Sequence, residues 1–254
     1  MGSIAYNLAD RVAVITGGSR GIGREIARSF LAEGARVVIC GRKQDGLDGA
    51  AADLGGGDRL LTVPAHIAKE ADVAALFEHT LQRFGRVDVL VNNVGMNLMT
   101  GSLVDVDLVQ WQKIIESNLT GTFLCSRAAG KIMRDQRKGK IVSLSSIAGR
   151  KASPAMNIYG IAKAGIEMMT RNLAAELAPF NVQVNAVAPG MVRTDFSKPF
   201  WSSPELYDHI VKAVPMGRIA EVRDVVHPVL FLCSEGSDFI TGQTIMVDGG
   251  ATAV

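Results

Sequence analysis

The stretch RVAVITGGSRGIGREIARSFLAEGARVVICG, residues 11–41, decides the fold. It opens on RVAVIT (11–16), a β-branched run of the kind found in strands buried on both faces. Gly17, Gly18, Gly21 and Gly23 follow at once, and then REIARSFLAEGA, in which Ile26, Phe30 and Leu31 share one helical face. RVVICG (36–41) reads as a second strand. Strand, glycine turn, helix and strand make one βαβ unit, and its right-handed crossover makes the two strands parallel.

The alternation continues down the chain. A strand around Leu60–Pro64 precedes a helical stretch at 70–84, and VDVLVNNVG (87–95) is a strand with an abrupt polar end. A helix over 107–134 leads to KIVSLSS (140–146), a helix over 157–178 leads to VQVNAVAPG (182–190), and TIMVDGG (244–250) is the final strand. Strands spaced by a dozen or more helical residues predict an α/β fold: a Rossmann-like, doubly wound parallel sheet with helices on both faces. Gly55-Gly56-Gly57 is only a short turn, so residues 1–254 read as a single domain.

Apolar residues make up 48% of the chain and charged residues 20%, an ordinary balance for a globular protein with a large core. A formal charge of +2 argues against nucleic acid or a membrane surface as partner. Cys40, Cys125 and Cys233 lie in apolar settings without CxxC spacing and read as reduced, buried thiols. MGSIAYNLAD has no apolar signal core, Tyr6 stands where a myristoylation signal needs Ser or Thr, and no apolar run reaches membrane-spanning length. Cytoplasmic residence is the expectation. His79, His209 and His227 lack metal-ligand spacing, so no metal is expected.

The turn Gly17-Gly18-Ser19-Arg20-Gly21-Ile22-Gly23 sits where a strand gives way to a helix. Glycines there let the backbone approach a pyrophosphate, and the helix start offers free N–H groups and the positive end of its dipole. Gly17 to Gly21 is also formally G-x-S-x-G, the nucleophile elbow of a serine hydrolase. Order argues against that reading: an elbow belongs in mid-sheet, and this turn follows the first strand. The second strand ends Cys40-Gly41-Arg42-Lys43, where NAD-binding folds carry an acid for the adenosine ribose hydroxyls. The acid is missing. Arg42, with Arg20 able to reach the same side, suits a 2′-phosphate and favours NADP(H).

The second informative stretch is SSIAGRKASPAMNIYGIAK (145–163). Tyr159 and Lys163 lie one helical turn apart on one face, downstream of the hydroxyl pair Ser145-Ser146. An ammonium about 4 Å from a phenol, at an effective dielectric of about 20, favours the phenolate by roughly 4 kcal/mol. That corresponds to about three pH units and predicts a tyrosine titrating towards neutrality, suited to trading a proton with a carbonyl or alcohol oxygen.

With TGGSRGIG (16–23), NNVG (92–95), Asn118 in NLTG, Ser146 thirteen residues before Tyr159, YGIAK (159–163) and APGMVRT (188–194), the chain resembles the short-chain dehydrogenase/reductase family over Val12 to Gly250. The resemblance implies that Tyr159 is the acid-base residue, that Lys163 lowers its pKa and binds the nicotinamide ribose, and that Ser146 orients the substrate oxygen. It implies that Asn118 holds a water of a proton relay. Asn92, Asn93 and Gly95 would shape the adenosine-ribose side, and Pro189, Gly190, Val192 and Thr194 would hold the nicotinamide. Asp88 reads as structural. One position departs: Ala65-His66-Ile67 stands where many members have Asp-Val, the aspartate binding the adenine amino group, so His66 would meet adenine by its ring, with Ile67 beside it.

The segment after Thr194, DFSKPFWSSPELYDHIVKAVPMG, reads as a mobile aromatic lid over about 194–216 that excludes water. Phe196, Phe200, Trp201 and Tyr207, with Met96, Leu98 and Met99, suggest an apolar or aromatic ketone or alcohol as substrate, and the wording is similar to a carbonyl reductase branch. A similar branch reduces 3-oxoacyl thioesters on acyl carrier protein, for which Arg150, Lys151, Lys198 and Lys212 are the available cations. A dinucleotide-binding regulator without chemistry would not need Asn118, Ser146, Tyr159 and Lys163 together. The resemblance also implies a homotetramer with interfaces on the helices of 107–134 and 157–178 and the TGQTIMVDGG region.

Overall fold

The computed structural model describes residues 6–153 and 155–254. The reading of the amino-terminal segment rests largely on residues 1–5, outside the described residues. Among the described residues seven strands form one sheet: β1 (Val12–Thr16), β2 (Arg36–Gly41), β3 (Leu60–Pro64), β4 (Val89–Asn92), β5 (Gly139–Leu144), β6 (Val182–Pro189) and β7 (Thr244–Val247). Their order is β3-β2-β1-β4-β5-β6-β7, and every neighbouring pair is parallel. The direction of winding reverses between β1 and β4, which opens a crevice beyond their carboxyl ends, the place where such sheets bind ligands.

The helices are α1 (Gly21–Ala32), α2 (Gln44–Leu54), α3 (Glu70–Phe84), α4 (Leu108–Ile115), α5 (Gly121–Gln136), α6 (Asn157–Leu177), α7 (Lys198–Trp201), α8 (Pro204–Lys212) and α9 (Val222–Cys233). They cover both faces of the sheet. Ala13 and Ile15 of β1 pack with Ile26 and Phe30 of α1 and Val225 and Val229 of α9. Val14, pointing the other way, packs with Leu76 of α3, Met133 of α5 and Leu177 of α6. That split is the period of two of a pleated strand with both faces dry. Among the described residues no helix is long and apolar enough to cross a membrane.

The structure corrects the sequence reading at several places. The helix expected over 107–134 is α4 and α5 joined by a π turn at Glu116–Thr120, which bulges the backbone at Asn118. Helices α2 and α9 lie in stretches the sequence left unassigned. The polar tails expected to end the strands, Asn93 to Gly95 and Ser145-Ser146, lie just beyond them and turn into the crevice edge. In the lid region the chain forms two short helices, α7 and α8.

Candidate active site

The glycine turn is held against the sheet by the residues after β4. Asn93 Nδ2 donates to Thr16 O (3.0 Å) and Gly17 O (3.3 Å), and its backbone N–H donates to Thr16 Oγ1 (3.0 Å). The turn approaches so closely that a Cβ on Gly23 would overlap Asn93 Nδ2 and Gly17 O. Asn92 points the opposite way, as alternation demands, and its Nδ2 donates to Ser126 Oγ (2.9 Å) and Ser143 Oγ (3.2 Å) in the interior. The adenosine-side role expected for Asn92 is therefore not open to its side chain.

Three features of this corner fit a dinucleotide. Helix α1 starts at Gly21 with no side chain capping it and no acid in its first turn, so its N–H groups and dipole remain free for a phosphate. By contrast, Asp107 caps α4 (Oδ1 to Gln110 N, 2.7 Å) and a capping box closes α9. Arg24 and Arg28 are tied to Asp53 (3.4 and 2.7 Å), whereas Arg20 and Arg42 are exposed and have no carboxylate partner among the described residues. Ser19 lies beside them, its Oγ 3.5 Å from where a Cβ on Gly41 would stand. Ile22 is partly buried against the core behind the turn. His66 is fixed by its backbone, donating N–H to Asp72 Oδ2 (2.8 Å), while its Nδ1 accepts from Ala68 N (3.3 Å), which leaves the ring proton on Nε2. Ile67 is buried against Gly121 at the start of α5.

Beyond β4 and β5 the polar side chains converge. Asn118 is fully buried in the π turn; its Nδ2 donates to Met96 O and Ile114 O (both 2.8 Å), and its Oδ1 accepts from Met96 N (3.2 Å). A Cβ on Gly95 would lie 3.6 Å from both Asn118 Oδ1 and Lys163 Nζ, so a bare backbone covers the two polar groups. Lys163 is 2% exposed; its Nζ donates to Leu144 O (2.7 Å) and lies 5.3 Å from the centre of the Tyr159 ring. Ser146 Oγ accepts from Ala148 N (3.2 Å), which leaves its own O–H free to donate. Ser145 turns inward, donating to Lys163 O (3.2 Å) and Glu167 Oε1 (3.0 Å).

The electrostatics overturn one expectation. Burial pushes the Tyr159 phenol up to about 12, opposed by the Ser146 hydroxyl, and pulls Lys163 down to about 8. The Tyr159 side chain keeps partial contact with solvent. The physical reason is desolvation, which penalises the phenolate and the ammonium alike, while Lys163 Nζ donates to Leu144 O. The phenol near neutrality expected from a bare Tyr/Lys pair is not what this packing produces. At pH 7 Tyr159 is a protonated phenol and Lys163 a loosely held ammonium.

Pro189 ends β6 and Gly190 follows it, with Gly190 N donating to Val247 O (3.0 Å) and Val192 bridging to Ala220. Thr194 meets Ser197 (Oγ1 to Oγ, 3.2 Å) at the root of the lid. Trp201 is occupied in holding that lid: its Nε1 donates to Ser197 Oγ (3.0 Å), and the Arg193 guanidinium covers its ring at 5.0 Å and that of Tyr207 at 5.8 Å. Phe196 is 49% exposed and Phe200 half-buried. The sequence reading missed Arg193 as lid anchor and missed Glu167; Arg150, expected as a cation of the site mouth, pairs with Glu167 behind Ser145. The spacing Tyr159, Lys163, Glu167 was the available signal, since residues four and eight apart share a helical face.

Known proteins resemble this chain in sequence and in fold. The family model described as enoyl-(acyl carrier protein) reductase matches residues 17–252. A 3-oxoacyl-[acyl-carrier-protein] reductase of Synechocystis sp. is 38% identical over 246 residues, covering 96% of this chain and 97% of that protein. Dehydrogenase/reductase SDR family member 4 of Mus musculus is 36% identical over 244 residues, covering 96% of this chain and 88% of its own. A short-chain type dehydrogenase/reductase from Mycobacterium ulcerans superposes with a TM-score of 0.93 at 32% identity, over 96% of this chain and 90% of that one. With fold, crevice and sequence in accord along almost its whole length, the chain belongs to the short-chain dehydrogenase/reductase family and is an oxidoreductase acting on alcohol or keto groups.

Proposed function

We propose that the protein is an NADP(H)-dependent reductase of ketones, working reversibly on secondary alcohols, with a preference for apolar or aromatic substrates. The observation that carries this reading is the gathering of Asn118, Ser146, Tyr159 and Lys163 beside an uncapped helix start flanked by the free cations Arg20 and Arg42. Gly17 to Gly23 and the first N–H groups of α1 would hold the pyrophosphate, and Arg20 and Arg42 the 2′-phosphate. Asn93, Gly95, His66 and Ile67 would line the adenosine side, with Pro189, Gly190, Val192 and Thr194 on the nicotinamide side. A bound nicotinamide supplies the hydride in reduction and takes it back in oxidation.

The proton falls to the protein. The free O–H of Ser146 would hold the carbonyl oxygen, and Tyr159 would donate to it. A phenol pushed up to about 12 is protonated at working pH, yet it remains far more acidic than the alcohol formed, so the transfer runs downhill. Lys163, drawn down to about 8 and 5.3 Å from the ring centre, would bring its charge to the phenolate left behind. Asn118 keeps the backbone of Met96 fixed above the lysine. Buried, unpaired thiols at Cys40, Cys125 and Cys233 support a reducing, cytoplasmic setting.

A 3-oxoacyl thioester is the second reading, favoured by the 38% identical Synechocystis relative. Of the four cations expected at the mouth, Arg150 is engaged by Glu167, and Lys151, Lys198 and Lys212 remain. A screen of apolar ketones, aryl ketones and acetoacetyl thioesters, followed by the loss of NADPH absorbance, tests the substrate. Preference for a thioester by tenfold or more in kcat/KM overturns the first reading. Comparison of NADPH with NADH tests the cofactor: NADPH should win by at least about tenfold, and an NADH preference removes the role given to Arg42.

A further inference from the structure

Glu167 is 2% exposed, and a carboxylate taken out of water is costly unless it is paired. It stands one turn beyond Lys163 and two beyond Tyr159 on α6, where the acid-base reading gives it no task. Its two oxygens reach the two ends of one short segment. Oε1 accepts from Ser145 Oγ (3.0 Å), the residue before Ser146, and Oε2 pairs with Arg150 Nε, four residues after Ser146. Between those ends the backbone is pressed onto the same helix. A Cβ on Gly149 would stand 2.9 Å from Ala164 N, and one on Gly160 only 2.6 Å from Ala148 O. Ser145 Oγ also bonds Lys163 O (3.2 Å), and Lys163 Nζ bonds Leu144 O (2.7 Å), so strand end and helix are stitched together level by level.

We infer that Glu167 is a positioning residue, which grips the Ser145–Arg150 segment at both ends and so fixes the Ser146 hydroxyl at the height on α6 where it meets Tyr159. The inference rests on the reading of Ser146 and Tyr159 as the pair that handles the substrate oxygen. A carboxylate placed only for stability would leave the rate per bound substrate unchanged. One that sets geometry lowers kcat and spares the pyrophosphate and adenosine contacts expected to carry most of the cofactor affinity, which lie on other elements.

The test compares wild type with Glu167→Gln, Arg150→Met and the double variant, using NADPH and the ketone of highest kcat/KM from the screen. Glu167→Gln keeps the shape and an acceptor for Ser145 but turns an amide N–H2 towards Arg150. It should lower kcat roughly tenfold to a hundredfold, with the Kd for NADPH, read by fluorescence titration, within about twofold of wild type. Arg150→Met should show a similar loss, and the double variant should fall no more than about twofold below the worse single one, because one clamp breaks only once. Wild-type kcat in the single variants, losses that multiply in the double variant, or a Kd that rises in step with the loss of kcat overturns the inference. Should Glu167→Gln fail to fold, Arg150→Met decides alone, since its side chain is 45% exposed. Tyr159→Phe in the same assay separates the two claims. Turnover retained there sinks the acid-base reading and the inference with it, whereas turnover lost there but intact in Glu167→Gln and Arg150→Met sinks only the positioning role.

Discussion

Burial drives Tyr159 and Lys163 the same way chemically, towards their uncharged forms, since desolvation penalises phenolate and ammonium alike. Lys163 has consequences for stability as well as for chemistry. Its folded pKa, about 8, lies below the ordinary lysine value of 10.5, so the unfolded chain holds the proton more tightly. Below pH 8 the buried charge costs about 3 kcal/mol, and stability recovers as pH climbs from about 8 to about 10.5. Lys163→Met should therefore be the more stable protein at pH 7, by about 2 kcal/mol once the lost bond to Leu144 O is counted, and the gap should close by pH 10.5. Chemical denaturation of both proteins across that range checks it; a less stable Met variant at pH 7, or a gap indifferent to pH, contradicts the assigned environment. The same variant should be catalytically dead. The residues themselves were legible from spacing and resemblance, but their electrostatics were not. A sequence gives the separation along a helix and says nothing of how deeply both groups are buried or of the Leu144 carbonyl that Lys163 meets.

At the scale of elements, the strands and α1 were readable because β-branched runs and a helical stripe are local signals. Helix α2 was not: QDGLDGAAADL buries only Leu47 and Ala50, and two glycines dilute its pattern. Helix α9, VRDVVHPVLFLC, carries an apparent breaker, Pro228, in its middle. Its legible signal was the box Glu221–Asp224, in which each side chain bonds the other residue's backbone. Glu221→Ala should cost about 1 kcal/mol by removing that cap, measurable in urea. Glu221 Oε1 also pairs with Arg193 Nε (3.1 Å), the residue that covers Trp201 and Tyr207 in the lid, so one side chain joins cap and lid. Arg193→Ala should consequently speed proteolytic cleavage within 194–216 while leaving the melting of the sheet domain nearly unchanged. Cleavage at the wild-type rate would show that the lid is held by other contacts. The π turn at Asn118 had no sequence signal, because a single inserted residue in a helix leaves the residue pattern on either side intact.

The described residues form one sheet with two packed faces, and the candidate site lies where the winding reverses. Phe123 of α5 and Ile161 and Met168 of α6 remain 41–52% exposed, an apolar surface that a lone chain would leave in water. A homotetramer of about 108 kDa, four times 27.0 kDa, is the proposed assembly, and light scattering after gel filtration checks it; a mass near 27 kDa contradicts it. The most direct test of the central claim is turnover by Tyr159→Phe saturated with NADPH. Loss of the phenolic proton should lower kcat by about a thousandfold or more while the Kd for NADPH stays within about twofold of wild type. A variant that still reduces the ketone at a rate near wild type would contradict the assignment of Tyr159 as the proton donor.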